Sequence, residues 1–391
     1  MKRFHWFILL GVLASACAEP VDSDVEAASI AEELRLRGGR VVISRDDFGV
    51  PHIYGATPRD VFYGMGYAHG EDALLPAEFL RRQVNGTLSE ILGSEALRAD
   101  VQARALFPVA DRTEQLASAP ADVLEIIEAY RDGINAYIDE ASANGSLPPE
   151  FAAYGITSPE PWPIEDVLGV GILVEYSVGT GGDSELDNAL RLRGLTAQLG
   201  PTAAAEGFGD THWLDDPSAV TTAPPTGAVN PVRTSPSPLE ALLPGRLLRR
   251  ALEARSRRRE IWERYGQAQG PASNAVVLGP SRTRSGRPLL LGGPQVPPRL
   301  LVETSIRGGG FHASGLSIAG VPAIVVGVGA RHSWTLTAGT SDNSDFFAEA
   351  LDPNRPGFYF FEGESVPLEC RTESFEVAGG GTVPQSLCET V

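Results

Sequence analysis

Between Ala119 and Gly145 the apolar residues Val123, Ile126, Ile127, Tyr130, Ile134, Tyr137 and Ile138 return every three or four positions. A helix gathers all of them on one face, so this stretch predicts a long helix with a single buried stripe. Nearer the front the period shortens. Val41 to Ile43 and His52 to Tyr54 are short apolar runs on either side of Asp46-Asp47-Phe48-Gly49, which reads as a hairpin. Thr57-Pro58-Arg59-Asp60 follows, with a cap residue, a proline at the first helical position and an acid three residues after the cap, so a helix starts there. Thr87 with Glu90, closed by Gly93, reads as a second, capped helix start.

Beyond residue 272 the pattern becomes strand-like. Val276 to Leu278, Leu289 to Leu291, Leu301 to Ile306, Ala323 to Val328, Trp334 to Thr337 and Phe346 to Leu351 are joined by turns bearing glycine and proline. Several of these runs are apolar at every position, the pattern of strands covered on both faces. The expected organisation is a mostly helical first part behind a short piece of sheet, then a strand-rich second part. With 42% hydrophobic and 21% charged residues the chain is ordinary for a folded protein, which excludes wholesale disorder.

Two segments fall outside this scheme. The first, "MKRFHWFILLGVLASAC", has Lys2 and Arg3, an apolar stretch from Phe4 to Leu13, and small residues up to Cys17. It reads as a secretory signal over residues 1 to 16, too short to span a bilayer as a stable helix. The small residues before Cys17 resemble a lipoprotein box with Cys17 as the lipid-bearing first residue of the mature chain. The other reading is an ordinary signal peptide with Cys17 incidental. Either predicts an exported, periplasmic protein whose membrane contact is limited to that lipid. The second segment, residues 225 to 272, carries nine arginines against four glutamates inside a chain of net charge −18. It reads as a basic linker, a membrane-surface helix, or a spacer that is later cut out. Without residues 1 to 16 the balance is 30 bases against 50 acids, which repels phosphate backbones and argues against a nucleic-acid partner. Cys370 and Cys388 are an even pair that an oxidising compartment would allow to bond, or two separate thiols.

Familiar catalytic motifs are absent from the sequence. Gly315-Leu316-Ser317-Ile318-Ala319-Gly320 misplaces the second glycine of a G-x-S-x-G elbow, and no H-E-x-x-H occurs. One serine does stand out. Ser273, in "GPASNAVVLGPS", opens a strand after a small-residue approach and behind the disposable basic segment. A serine hydroxyl needs a base to become a nucleophile. Cleavage of the bond before Ser273 would supply one, because its own α-amine would have an unperturbed pKa of about 7.7 to 8. A strand-start cap or turn serine is the ordinary alternative.

Several stretches in matching order carry a resemblance: "RDDFGVPHIYGATPRDVFYGMGYAHGEDALLPAEFLRRQVNGTLSEILG", "SELDN", "WLDDPSAVTT" and "SNAVVLG…LLLGGPQ…GVPAIVVGVGARHSWTLTAGTSDNSDFFAE". Over about Val41 to Ala350 the chain resembles the penicillin acylase (penicillin amidase) family of N-terminal-nucleophile hydrolases. The resemblance implies an α+β fold, the αββα four-layer sandwich of helix, sheet, sheet and helix, incomplete here at the C-terminus. It implies a precursor that cuts itself before the serine, leaving a first chain over 33–224, an excised spacer over 225–272 and the start of a second chain over 273–391, the two chains staying associated. Ser273 would be both nucleophile and, through its amine, base. The backbone N–H of Ala338 would be an oxyanion donor, and Gln295 would support the serine end. Glu185, Asp342, Ser344 (through its carbonyl) and Asp345 would bind a structural calcium that joins the two chains, a chemistry that suits hard oxygen donors. Capped turns facing solvent are the plain alternative for these acids. Asn85-Gly86-Thr87 fits a glycosylation sequon, but in an exported bacterial chain Thr87 reads as a helix cap instead.

The same resemblance implies a small-molecule acyl-amide substrate and an exported amide hydrolase acting through an acyl-serine intermediate, with an N-acyl-homoserine lactone acylase or a catalytically incomplete family member as alternatives. Val178, Gly179 and Val296 stand where penicillin G acylases carry an arginine, a phenylalanine and often an aromatic residue, so a pocket unlike the phenylacetyl one is expected. Only 119 residues run from Ser273 to Val391, and the asparagine that the family's longer second chain gives to the oxyanion hole has no counterpart among them.

Overall fold

The computed structural model describes residues 31–36, 39–179, 184–211, 272–295, 301–337 and 349–390, together with the single positions 245, 249, 252, 253, 256 and 347. They fall into two compact units, one of residues up to 179 with 260–339 and 369–390, the other of 180–259 with 340–368.

In the first unit the predicted hairpin forms as β2 (Gly39–Arg45) and β3 (Pro51–Gly55), preceded by β1 (Ala31–Leu36). Asp46 organises its turn, accepting the N–H groups of Phe48 and Val50 at 2.9 and 3.0 Å. The helix starting at Thr57 is α1 (Pro58–Asn85), with both hydrogen bonds of the capping box in place and Gly86 closing it in the left-handed conformation. The second start signal works differently. The short helix α2 (Ser89–Leu92) has Leu88 at its N-cap and no side-chain cap of its own. The Thr87 hydroxyl turns back to the carbonyl of Arg82, and the open N–H groups of Leu88 and Ser89 are taken by the carboxylate of Asp100 on α3 (Leu97–Leu106). After α4 (Val109–Ala117) comes the predicted long helix, α5 (Ala121–Asn144), with Ile126, Ile127, Tyr130, Ile134 and Ile138 buried. It packs across α1 at two glycines. A Cβ on Gly66 would stand 2.0 Å from the carbonyl oxygen of Tyr130, and one on Gly133 2.0 Å from that of Tyr63, so the two backbones touch where side chains are absent. The short α6 (Glu150–Ala153) and then α7 (Ile164–Gly179) follow.

These helices cover one face of a seven-stranded sheet ordered β1-β2-β3-β6-β7-β8-β9, with β6 (Leu301–Gly308), β7 (Phe311–Ile318), β8 (Ile324–Gly329) and β9 (Ser333–Trp334). All neighbours are antiparallel except β3 and β6, where His52 to Tyr54 align with Ser305 to Arg307. One continuous sheet therefore joins the chain before the basic segment to the chain after Ser273. Its core includes Val41, Ile53, Phe62, Met65, Tyr130 and Ile134, all fully buried.

Two hairpins lie outside that sheet. The strands β4 (Ala272–Leu278) and β5 (Leu289–Gln295) form one antiparallel ribbon; β13 (Glu369–Val377) and β14 (Gly381–Glu389) form the other. In the second ribbon Cys370 and Cys388 stand directly opposite and are disulfide-bonded. Its inner face buries Phe375, Val377 and Leu387, and the Arg104 guanidinium lies 4.0 Å over the Phe375 ring. Ser89 on α2 exchanges hydrogen bonds with the backbone of Glu376 and Ala378. The second unit contains α8 (Ser184–Leu199), α9 (Pro201–Thr211) and a three-stranded sheet of β10 (Ala350–Leu351), β11 (Phe358–Phe361) and β12 (Glu364–Pro367). Among the described residues the molecule is thus α+β, with a helical layer, a seven-stranded sheet and the separate β4–β5 ribbon. No described helix is long and apolar enough to cross a membrane.

Candidate functional site

Ser273 is the second residue of β4 and is half-buried. The run Ala275 to Leu278 has β-branched and leucine side chains suited to a strand, and the Gly279-Pro280 turn ends it. Antiparallel pairing sets Ser273 opposite Pro294 and Ala272 opposite Gln295. The two site residues therefore occupy adjacent pairs at one end of the ribbon. Side chains alternate across a pleated strand, so Gln295 leaves the ribbon on the face opposite Ser273.

Gly292 lies on the Ser273 face, paired with Ala275. A Cβ there would sit 2.3 Å from the Thr335 hydroxyl, so only a glycine lets the segment after β9 lie against the ribbon. That segment is fixed at its root by Trp334, whose indole N–H donates to the carbonyl of Ile324 at 3.0 Å. Thr335 Oγ1 is buried against Gly292 with no hydrogen-bond partner among the described residues. The chain runs from Thr335 toward Ala338, which itself lies outside the described residues, as do Asp342, Ser344, Asp345, Val296 and most of 225–271. Glu185 is in the first turn of α8, and its side chain also lies outside. No group of three or more His, Cys, Asp or Glu that could hold a metal occurs among the described residues.

Two polar clusters that sequence reasoning did not single out are built into the first unit. His69 on α1 is fully buried, with Nδ1 2.6 Å from the Tyr130 hydroxyl and Nε2 2.9 Å from Ser317 Oγ and 3.3 Å from Thr304 Oγ1. The backbone N–H of Gly320 donates to the Tyr130 oxygen and Ser317 donates to the carbonyl of Val302, so a neutral imidazole with its proton on Nε2 satisfies every partner. Burial lowers the His69 pKa to about 3 and raises that of Tyr130. This histidine is a structural tie between α1, α5, β6 and β7. Its signal in the sequence was only a histidine inside an apolar helix face.

The second cluster joins α1 to α7. Glu78, fully buried, meets Arg82 at 2.9 Å and Arg81 at 3.5 Å, while Asp166 meets Arg81 at 3.2 Å. Burial raises the pKa of both carboxyls, against the opposing pull of the arginines. Asn85, the sequon residue, has its side-chain amide spent inside this cluster, donating to Asp166 and accepting from Arg112. A cavity of about 870 Å³ opens beside it, between Arg104, Phe107, Arg112, Arg371 and Glu389, and includes none of the predicted site residues.

The chain matches the family model described as penicillin amidase over residues 40–391. It is 31% identical to penicillin G acylase of Escherichia coli over 383 residues, covering 90% of this chain and 45% of the relative. It is 28% identical to the acyl-homoserine lactone acylase QuiP of Pseudomonas putida over 392 residues, covering 98% of this chain and 44% of that protein. Among solved structures, a chain of a thermostable penicillin G acylase from Alcaligenes faecalis aligns with a TM-score of 0.44 at 28% identity, over 48% of this chain and 99% of that one. The chain thus spans about half the length of the curated relatives it matches, and it belongs to the penicillin amidase family.

Proposed function

We propose that the protein is an exported hydrolase of linear amides that removes an acyl group from an amine-bearing core. The observation that carries this reading is the placement of Ser273 at the open end of β4, next to Gln295 in register and on the face that the segment leading to Ala338 approaches. Hydrolysis of the Ala272–Ser273 bond frees the carboxyl of Ala272 and the α-amine of Ser273. The amine accepts the hydroxyl proton as Ser273 Oγ attacks the substrate carbonyl, and returns it to the departing amine. By the resemblance the backbone N–H of Ala338 would donate to the oxyanion, a donor of a kind whose loss costs about 2.7 to 4 kcal/mol of barrier. Water then releases the acid from the acyl-serine. Glu185, Asp342, Ser344 and Asp345 offer carboxylate and carbonyl oxygens that suit calcium, which would supply structural cohesion.

Mass spectrometry of the purified protein tests the first step. The expected masses are of two chains, the second beginning at Ser273; a Ser273→Ala chain stays whole and loses acyl-amide turnover by at least about 10⁴-fold. An uncut, active wild-type chain would overturn the reading. A second substrate class, N-acyl-homoserine lactones, is favoured by the relative that covers nearly the whole chain and by Val178 and Gly179 at the acyl-pocket positions. Relative turnover of phenylacetyl and long-chain acyl amides separates the two.

A further inference from the structure

The β13–β14 ribbon is held in two different ways along its length. Next to its turn, Phe375 and Val377 are buried, Ser89 Oγ donates to the carbonyl of Glu376 at 3.0 Å, and the Ala378 N–H donates to the carbonyl of Ser89 at 2.9 Å. Away from the turn, over residues 369–372 and 386–389, Leu387 is the only buried residue. There the two strands are clipped together by Cys370–Cys388, and Arg371 ion-pairs with Glu373 and Glu389 and donates to the carbonyl of Arg104 at 3.2 Å. Side chains alternate across the pleat, so Arg371 and Leu387 point inward and the disulfide lies on the outer face, where both cysteines are exposed. Arg371, Glu373, Cys388 and Glu389 also form one wall of the cavity of about 870 Å³, whose other lining comes mainly from residues 104–112.

We propose that Cys370–Cys388 is a reducible latch on that wall: a dithiol reduces it, the half of the ribbon away from the turn comes off α3 and opens the cavity, and the half next to the turn stays docked. An exposed disulfide is within reach of an attacking thiolate, as one inside a core is not. Lying on the outer face, it contributes by holding the strands together rather than by packing. A cross-link closing a loop over a sequence separation of 18 shifts the opening equilibrium by about 100-fold, whereas each solvated ion pair beside it shifts it by less than about fivefold. The bond therefore decides whether this half stays closed. In the reaction one thiolate of the dithiol attacks Sγ of Cys388, the cysteine that lines the cavity, and Cys370 leaves as thiolate. The second thiol attacks the mixed disulfide and releases Cys388. The two protein sulfurs take up the protons the reagent gives up, so the dithiol is oxidised to a disulfide as Cys370 and Cys388 become thiols. The latch works without Ser273 and does not depend on the proposed hydrolase.

The test compares the full chain oxidised and after native treatment with dithiothreitol, capping of the thiols with iodoacetamide and desalting. Peptide mapping is expected to find both Cys370 and Cys388 capped. Amides of 369–372 and 386–389 should then exchange about 100-fold faster, and hydroxyl-radical labelling of Phe107, which lines the cavity, should rise. Exchange over 375–378 and in β6 and β7 should keep its rate. The chain carrying both Cys370→Ala and Cys388→Ala should show the same pattern without reductant and no response to it, which separates loss of the bond from the bulk of the caps. A bond that resists dithiothreitol until the chain is denatured would overturn the proposal. So would exchange at 369–372 or labelling of Phe107 that reduction leaves unchanged. Loss of protection over the whole of 369–389 would overturn it too, because the bond would then be a staple of the entire ribbon.

Discussion

Both β4–β5 and β13–β14 are two-stranded antiparallel ribbons outside the main sheet, yet their surroundings are opposite. The β13–β14 ribbon buries Phe375, Val377 and Leu387 on its inner face, beside Arg371 and Glu373, and is held to α2 and α3 by Ser89 and Arg104. The pair next to its end is also cross-linked, by Cys370–Cys388. The β4–β5 ribbon has no cross-link and exposes aliphatic side chains on both faces. Among the described residues the one-sided ribbon is packed against helices, and the ribbon apolar on both faces is exposed. The residue proposed for catalysis stands on the second kind.

The most damaging change to this contrast is expected at Phe375. Its ring is fully buried under Arg104, and Phe375→Ala should cost about 3 to 5 kcal/mol of docking free energy, turning β13–β14 into a ribbon as exposed as β4–β5. Amide exchange over 369–389 reads the loss directly, and an unchanged rate there would mean the buried face does not hold the ribbon. Replacing both Cys370 and Cys388 by alanine comes next. The bond closes a loop over a sequence separation of 18, for which chain entropy gives about 3 kcal/mol. The urea midpoint of the ribbon's exchange should fall accordingly, while the seven-stranded sheet is unaffected.

What the sequence made legible follows from where the signal is local. The long stripe of α5, the Thr57 capping box and the Asp46 turn depend on neighbours within a few residues, and all three form as read. Thr87 failed as a cap because Asp100 competes for the same N–H groups from a distance that no local pattern reports. The β7 strand was missed because its interior is not apolar: Ser317 is fully buried and Thr304 faces it from β6, both serving His69. The strands of 369–389 were missed for the same kind of reason, their inner face mixing Arg371 and Glu373 with Phe375. At the site, composition and turn signals place Ser273 at a strand start, and the register sets Gln295 in the adjacent pair, on the opposite face of the ribbon. The apolar runs at 276–278 and 289–291 read as strands covered on both faces; they do form paired strands, but Val276, Val277, Leu278, Leu289 and Leu291 stand exposed.

Acidification should separate the sheet from the ribbon. His69 titrates near 6.5 when unfolded and at about 3 when folded, so below pH 6.5 the unfolded chain takes up a proton that the folded chain refuses. The stability it contributes is complete above pH 6.5 and declines by about 1.4 kcal/mol per pH unit as the pH falls toward 3. Between pH 6.5 and 5 the sheet should lose about 2 kcal/mol by urea unfolding, and His69→Asn, less stable at both values, should flatten that dependence. The β4–β5 strands contain no titratable side chain, so their exchange, corrected for the intrinsic pH effect, should not move with it.

The smallest expected effect is the most discriminating. A charge placed on a buried strand face costs several kcal/mol, because it must be desolvated or must unfold its surroundings. At Val277 the side chain is 69% exposed, so Val277→Asp should change the stability of the chain alone by no more than about 0.5 kcal/mol. Equal unfolding midpoints for wild type and Val277→Asp would mean that this face of the ribbon contributes nothing to the stability of the chain. A loss of more than about 2 kcal/mol in the isolated chain would instead mean that the face is already buried in solution, and the contrast between the two ribbons would collapse.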